Sequence, residues 1–349
     1  MTSGYEFELA IAARKLIEDI LHVNKGDEVL ITADSGSDYR AIVATAQAAK
    51  LIGAKPLVLW YNMTSGVGME AEKDLPVRSL RAALKNADVW LEFNKTWLLY
   101  SSIYEEVILN NKTKYLILVG MDADMMVRMI GRVDLKLLFE FQKKLANIVS
   151  RSKRFELFSS EGTNMTFEND SSRPILIEGE IFGPGDYALV GQVDWAPLEE
   201  SINGIFVADV SAYPPFELGL LRKPIEIRIE NGKIVSIRGG REAMVFKRWL
   251  EDLNDPNMYN VAHIAIGCNP NARPSGNILE DERIWGALDW GFGSQAPTFK
   301  GKFGLAKSHT DCVMLNTTLR ADGATIIENG DFVHEDLKDL AKRIKGTLA

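Results

Sequence analysis

Four runs in the first part of the chain, "GDEVLITA", "KPLVLWY", "DVWLEF" and "TKYLILVG", are apolar almost without interruption. A strand that is apolar on both faces can meet water on neither. Such runs form a parallel sheet only if helices cover it above and below. The intervening segments supply those helices. "YEFELAIAARKLIEDIL", "DYRAIVATAQAAKLIGA" ending at Gly53, "DLPVRSLRAALKNA" and a long stretch from about Asp124 to Ile148 carry apolar residues at helical spacing. Alternation of strand and helix over residues 1–150 therefore predicts an α/β domain built on a parallel sheet.

The pattern resembles an open, Rossmann-like domain. No G-x-G-x-x-G follows any of the strands, so a dinucleotide is not expected. Near residue 150 the alternation stops. "SRSKRFELFSSEGTNMTFEND" reads as strands joined by polar turns, and "PIEIRIENGKIVSIRGG" as a hairpin closed by Asn231-Gly232, the pair suited to a type I′ turn. "REAMVFKRWLEDL" is a helix, "CVMLNTTLRADGATIIENGDFV" a second hairpin-rich stretch, and "HEDLKDLAKRIKG" a closing helix. Residues 151–349 are thus expected to form an α+β domain rich in antiparallel sheet, with the boundary between Ile148 and Arg151. A length of 349 residues suits two cores better than one.

Composition narrows the partners. A net charge of −8, a pI of about 5.3 and no basic patch argue against nucleic acid and against anionic membrane surfaces. No apolar stretch of about 18 residues is present, so no transmembrane helix is expected. The start, "MTSGYEFELA", has no basic segment followed by an apolar one, so no signal peptide is expected. Two cysteines, Cys268 and Cys312, lack the spacing of a disulfide framework and suit a reducing cytoplasm.

The chemistry is concentrated in "KSHTDCVML". On a strand, His309 and Asp311 stand two apart and share a face, so an imidazole nitrogen and a carboxylate oxygen can converge on one metal ion. A facial triad of two histidines and a carboxylate needs one further, distant histidine. Taken alone, the pair reads more readily as a surface or capping couple at a strand entrance. The chain has four histidines, which leaves His22, His263 and His334 as partners. His22 ends the first helix and His334 opens the last, both in polar surroundings. His263 lies in "NVAHIAIGCNP", an apolar run ending in a Gly/Asn/Pro turn, a setting that suits a site residue or a hydrogen-bonded core histidine. Cys312 points away from Asp311 on the same strand and is no ligand. Trp195, Phe206, Tyr213, Phe216, Trp285, Trp290 and Phe292 are core residues or the lining of a flat slot.

"GTNMTF", "APLEESINGIF", "HIAIGCNPNARPSGNILEDER" and "KSHTDCVMLNTTL" together resemble the M29 aminopeptidase family. The resemblance covers most of the chain and implies a Rossmann-like first domain, a metal-bearing second domain and a homodimer or larger homo-oligomer. The dinuclear ligand set does not carry over. Gln192, His263 and Asp289 stand where that family has glutamate, glutamate and histidine, and only His309 and Asp311 match. These departures bring the chain closer to the related 2,5-dihydroxypyridine 5,6-dioxygenase family. Its ligand blocks are similar to "AHIAIG" and "HTD" and imply that His263, His309 and Asp311 hold one Fe(II).

The same resemblance reaches "IEGEIFGPGDYALVGQ". It implies an acid/base glutamate at Glu178 or Glu180, with Tyr187 and Tyr100 where the family has histidines. The implied activity is ring-cleaving dioxygenation of a hydroxylated N-heteroaromatic or related aromatic substrate with O2. Two alternatives stand beside it. One is a hydrolase in which Zn, Mn or Co activates water. The other is a non-catalytic binding protein on the same fold.

Overall fold

The computed structural model describes residues 5–346. The chain divides into two compact units, one formed by the chain up to Leu135 together with Glu178–Val190, the other by Lys136–Ile177 and the chain from Gly191 onward. Glu178–Val190 returns to the first unit, so no single cut in the sequence separates the two.

In the first unit a five-stranded sheet runs in the order Lys55–Tyr61, Glu28–Asp34, Val89–Glu92, Lys114–Ile117 and Gly185–Tyr187, with every neighbour parallel. Val29 to Asp34 and all of Val89–Glu92 are buried, as strands covered on both faces must be. The fifth strand comes from the returning segment. Asp38 caps the helix Tyr39–Leu51 by accepting from the Arg40 N–H, and Gly53, with φ +89°, ends its last turn. The helix Ser102–Leu109, capped by Ser101, is too short for periodicity to reveal it.

The long helix expected over 124–148 is broken. Ala123–Met126 runs into a wide turn at Val127–Gly131, and a new helix begins at Leu135 and ends at Arg151. The break has its cause in tertiary packing. A Cβ on Gly131 would lie 3.2 Å from that of Ala12, so glycine lets the helix Tyr5–Lys15 pack close. From that helix the Lys15 ammonium donates to the carbonyls of Gly131 at 2.8 Å and Val133 at 2.9 Å, groups that a helix end leaves open.

The second unit is a sandwich of two antiparallel sheets. One has eight strands, in the order Lys233–Gly239, Ile225–Glu230, Asn203–Ala208, Asn164–Glu168, Arg154–Ser159, Thr317–Ala321, Ala324–Glu328 and Asp331–Phe332. The other has seven: Gly219–Leu220, Ser211–Tyr213, His309–Met314, Leu288–Gly293, Val261–Gly267, Gln192–Trp195 and Leu176–Glu178. Asn231 and Gly232 both take positive φ, 50° and 73°, as a type I′ hairpin requires. Between the sheets, Phe155 stacks on Phe167 at 5.1 Å, and Phe167 and Phe206 meet Trp290 at 5.6 and 5.8 Å. Trp195, Phe206, Trp290 and Phe292 are all essentially inaccessible, so these four are core and line no slot. Trp285 packs against Phe141 and Phe332. Among the described residues no helix is long and apolar enough to cross a membrane.

Candidate metal centre

The strand Leu288–Gly293, "LDWGFG", sorts its residues by face. Leu288, Trp290 and Phe292 enter the core, and Asp289, Gly291 and Gly293 look the other way. The neighbouring strands follow the same rule. Asp311 and His263 both pair with Gly291, one on either side, and His309 pairs with Gly293. A register slip between Val261 and His263 marks a bulge, and the Gln295 amide donates to the carbonyl of the intervening Ala262 at 2.8 Å. The three residues singled out by sequence thus come from two strands that flank a glycine-bearing third.

Their donor atoms meet. His309 Nε2 lies 2.9 Å from Asp311 Oδ1, His263 Nε2 lies 3.3 Å from the same oxygen, and the two Nε2 atoms are 3.2 Å apart. All three side chains are buried. His309 Nδ1 is 2.7 Å from the Ser294 carbonyl, to which only an N–H can donate. In a neutral ring that leaves a lone pair on Nε2, aimed at a carboxylate oxygen. Two acceptors at 2.9 Å need a positive charge between them, supplied either by a proton on the ring or by a metal ion. A carbonyl that fixes the far nitrogen of a ligating histidine is the usual support of a metal site. The donor set, two imidazoles and one carboxylate, therefore fits a divalent metal.

The electrostatics agree. Burial favours the neutral form of Asp311, but the two imidazoles outweigh it and hold the carboxyl well below the usual range. Burial works against a charge on His309 as well, yet Asp311 raises it overall, whereas burial keeps His263 below the ordinary histidine value. Phe299 lies nearly parallel to the His263 ring, with centroids 5.3 Å apart.

A second group of acids shares Asp311. One oxygen each from Glu282, Asp289 and Asp311 lies within 4.8 Å of the others. Asp289 is fully buried, and neither of its oxygens has a hydrogen-bond partner. Burial first, then Asp311 and Glu282, push its carboxyl well above the ordinary range. Burial and Asp311 push Glu282 up to about 7, against the pull of Arg283, whose Nη1 lies 3.0 Å from it.

Of the other predicted residues, Tyr100, Glu180 and Tyr187 lie in the first unit, and Glu178, which closes the strand Leu176–Glu178, begins the segment that returns to it. Glu178 is buried and accepts from the Ala188 N–H at 2.7 Å, whereas Glu180 is half-buried. Tyr187 lies on the fifth strand and donates to the Gly183 carbonyl at 3.2 Å; burial and then Glu178 raise its hydroxyl. Tyr100 is buried in the left-handed region at φ 66°, edge-on to Tyr104. His22 stacks on Phe182 at 4.6 Å, and His334 accepts from the Asp336 N–H at 3.2 Å. Neither joins the cluster. Sequence reasoning missed Glu282, Phe299 and Gly291. The alternation Asp289, Gly291, Gly293 was the readable signal for the last.

These features define a class: an α/β chain whose antiparallel second unit carries a His–His–carboxylate cluster on one sheet face, suited to a single metal ion. The chain belongs to the NicX family, 2,5-dihydroxypyridine 5,6-dioxygenase, whose family model matches residues 14–334. It is 25% identical to the 2,5-dihydroxypyridine 5,6-dioxygenase of Pseudomonas putida, over 91% of this chain and 95% of that protein. The solved structure of the 2,5-dihydroxypyridine dioxygenase from Pseudomonas putida KT2440 shares the fold, with a TM-score of 0.77 at 21% identity, covering 95% of this chain and 99% of that one. Wild-type AmpT from Thermus thermophilus also shares it, with a TM-score of 0.65 at 17% identity over 94% of this chain and all of that one.

Proposed function

We propose that this protein is a mononuclear non-haem Fe(II) dioxygenase that opens the ring of a hydroxylated N-heteroaromatic such as 2,5-dihydroxypyridine. The observation that carries the reading is the meeting of His263, His309 and Asp311 donor atoms on one sheet face, in a chain of the family named above. Bound there, Fe(II) would supply the redox chemistry that an aromatic ring and O2 lack on their own.

The protein's own groups have separable tasks. The Ser294 carbonyl fixes the His309 ring and keeps Nε2 directed at the centre. Asp311 stays ionised and favours a cation. Phe299, parallel to His263, and Tyr213, paired with Asp311 on the same face, offer aromatic surface to a flat substrate. Glu178 is assigned the acid/base role in preference to Glu180, since its carboxylate is buried and oriented by the Ala188 N–H. Tyr187 and Tyr100 are assigned to hydrogen bonds with ring oxygens. We further take the protein to be a cytoplasmic homo-oligomer. Cys268 and Cys312 are buried free thiols, and Phe7, Ile11, Tyr39 and Leu51 expose an apolar face on two helices of the first unit.

The test is oxygen uptake by anaerobically reconstituted protein offered a panel of hydroxypyridines. The reading expects equimolar loss of 2,5-dihydroxypyridine and O2 with Fe(II), and none with Zn(II). An iron-loaded protein that consumes no O2 with any member of the panel contradicts it.

A further inference from the structure

We propose that Gly291 is the positioning residue of the metal centre, and that the absence of its side chain is what allows His263 to reach His309 and Asp311. The inference rests on the reading of that cluster as a metal site.

Asp311 and His263 pair with Gly291 from opposite sides, so they lie two strands apart. Neighbouring strands are about 4.8 Å apart, which puts their backbones roughly 10 Å from each other. An aspartate is short, so the imidazole must cover most of that gap by leaning across the strand between them. The geometry shows that it does. A Cβ built on Gly291 would stand 2.3 Å from His263 Nε2, 2.5 Å from Cδ2 and 2.9 Å from Cε1. The ring occupies the space that any other residue at 291 would fill. No sub-ångström adjustment removes such an overlap, because Phe299 lies along the ring and Asp311 and His309 stand at its tip.

Gly291 differs from its neighbour on the same face. Gly293 has φ +95°, and a Cβ there would come 2.6 Å from the Ser308 carbonyl, so its substitution strains the backbone. Gly291 has no such φ, and the three atoms nearest its Cβ position all belong to His263. Alanine at 291 therefore meets the imidazole before anything else.

The experiment uses the full chain and two readouts that need no turnover. Binding of Co(II) is followed by calorimetry and by its visible spectrum, and thermal unfolding of the metal-free protein is recorded alongside. In Gly291→Ala, Co(II) affinity is expected to fall by about 100-fold or more, beyond the usual effect of an outer-sphere change. The spectrum should lose the contribution of one nitrogen ligand. Unfolding of Gly291→Ala, His263→Ala and the double variant forms a cycle. Alanine at 291 should lower the melting temperature when His263 is present and leave it unchanged when His263 is already alanine. If Gly291→Ala does not fold, the double variant should restore folding. Wild-type affinity and spectrum in Gly291→Ala, or equal destabilisation in both backgrounds, overturns the proposal. If the wild-type protein itself binds no Co(II), the metal reading fails, while the unfolding cycle still decides the role of Gly291.

Discussion

Both units bury acids completely, and Glu92 and Asp34 of the first are held in the opposite way to Asp289 of the second. In the first unit Glu92 accepts from the Leu98 N–H and meets the Tyr115 hydroxyl. Asp34 accepts from the N–H groups of Gly36, Lys95 and Thr96 at 2.9, 2.8 and 3.0 Å. Each carboxylate ends a strand and ties down the loop that follows. In the second unit Asp289 is equally buried and bonds to nothing, although Asp311 and Glu282 crowd it with like charge. An unpartnered buried polar group costs about 1–3 kcal/mol, so folding alone gives no reason to keep one. A cation beside Asp311 gives that reason, because it relieves the crowding. The bonded acids shape loops, and the unbonded one is what a cation site beside Asp311 would account for.

His309→Ala and Asp311→Ala should abolish metal binding, exceeding the roughly 100-fold loss of a second-sphere change, and oxygen uptake should fall to background. Metal content by elemental analysis checks this. Retention of stoichiometric metal by either variant would undo the assignment.

Next in size is the structural acid. Glu92→Ala strands the Leu98 N–H and the Tyr115 hydroxyl, at about 1–3 kcal/mol for each group left unsatisfied. Denaturant unfolding should register the loss, with metal affinity unchanged. A parallel drop in affinity would erase the distinction between the two kinds of acid.

The same residue sets a pH dependence. Burial pushes Glu92 up to about 8, above the value of a glutamate in the unfolded chain. The native state therefore binds the extra proton between the two values. The stability this group contributes falls as pH rises from about 5 to 8 and levels off beyond; Glu92→Gln should remove that share of the slope and leave the shares of Asp186 and Asp281, each raised by burial to about 6.

The smaller effects sharpen the contrast. Asp289→Asn removes a buried unpaired carboxyl. It should stabilise the metal-free protein by about 1–2 kcal/mol while weakening metal binding several-fold, a trade of function for stability. A destabilised metal-free variant would show that Asp289 belongs with Glu92 after all. His334→Ala, outside the cluster, should stay within about 0.5 kcal/mol in stability and keep its metal.

Much of this was legible in the sequence. The solid apolar runs announced the parallel sheet because burial on both faces leaves no room for alternation. Asn231-Gly232 announced its hairpin because few residues accept two positive φ angles. His309 and Asp311 announced a shared face through strand periodicity. What stayed hidden depends on non-local contact. The helix break at Gly131 comes from Ala12 and Lys15, more than a hundred positions away in the chain. Glu178–Val190 carries no strand signal among those singled out above, yet it delivers the fifth strand of the first sheet. Trp195 and Trp290 read as core residues or slot lining, and the second sheet shows that they face inward. Gly291 became meaningful once its two neighbours across the sheet were known.

The central claim is that His263, His309 and Asp311 together hold one iron. The most direct measurement is anaerobic Fe(II) titration of the wild-type protein and of His263→Ala, with iron counted after removal of excess metal. The account predicts about one iron per chain in the wild type and close to none in the variant. Stoichiometric iron in His263→Ala, held with wild-type affinity, would contradict it.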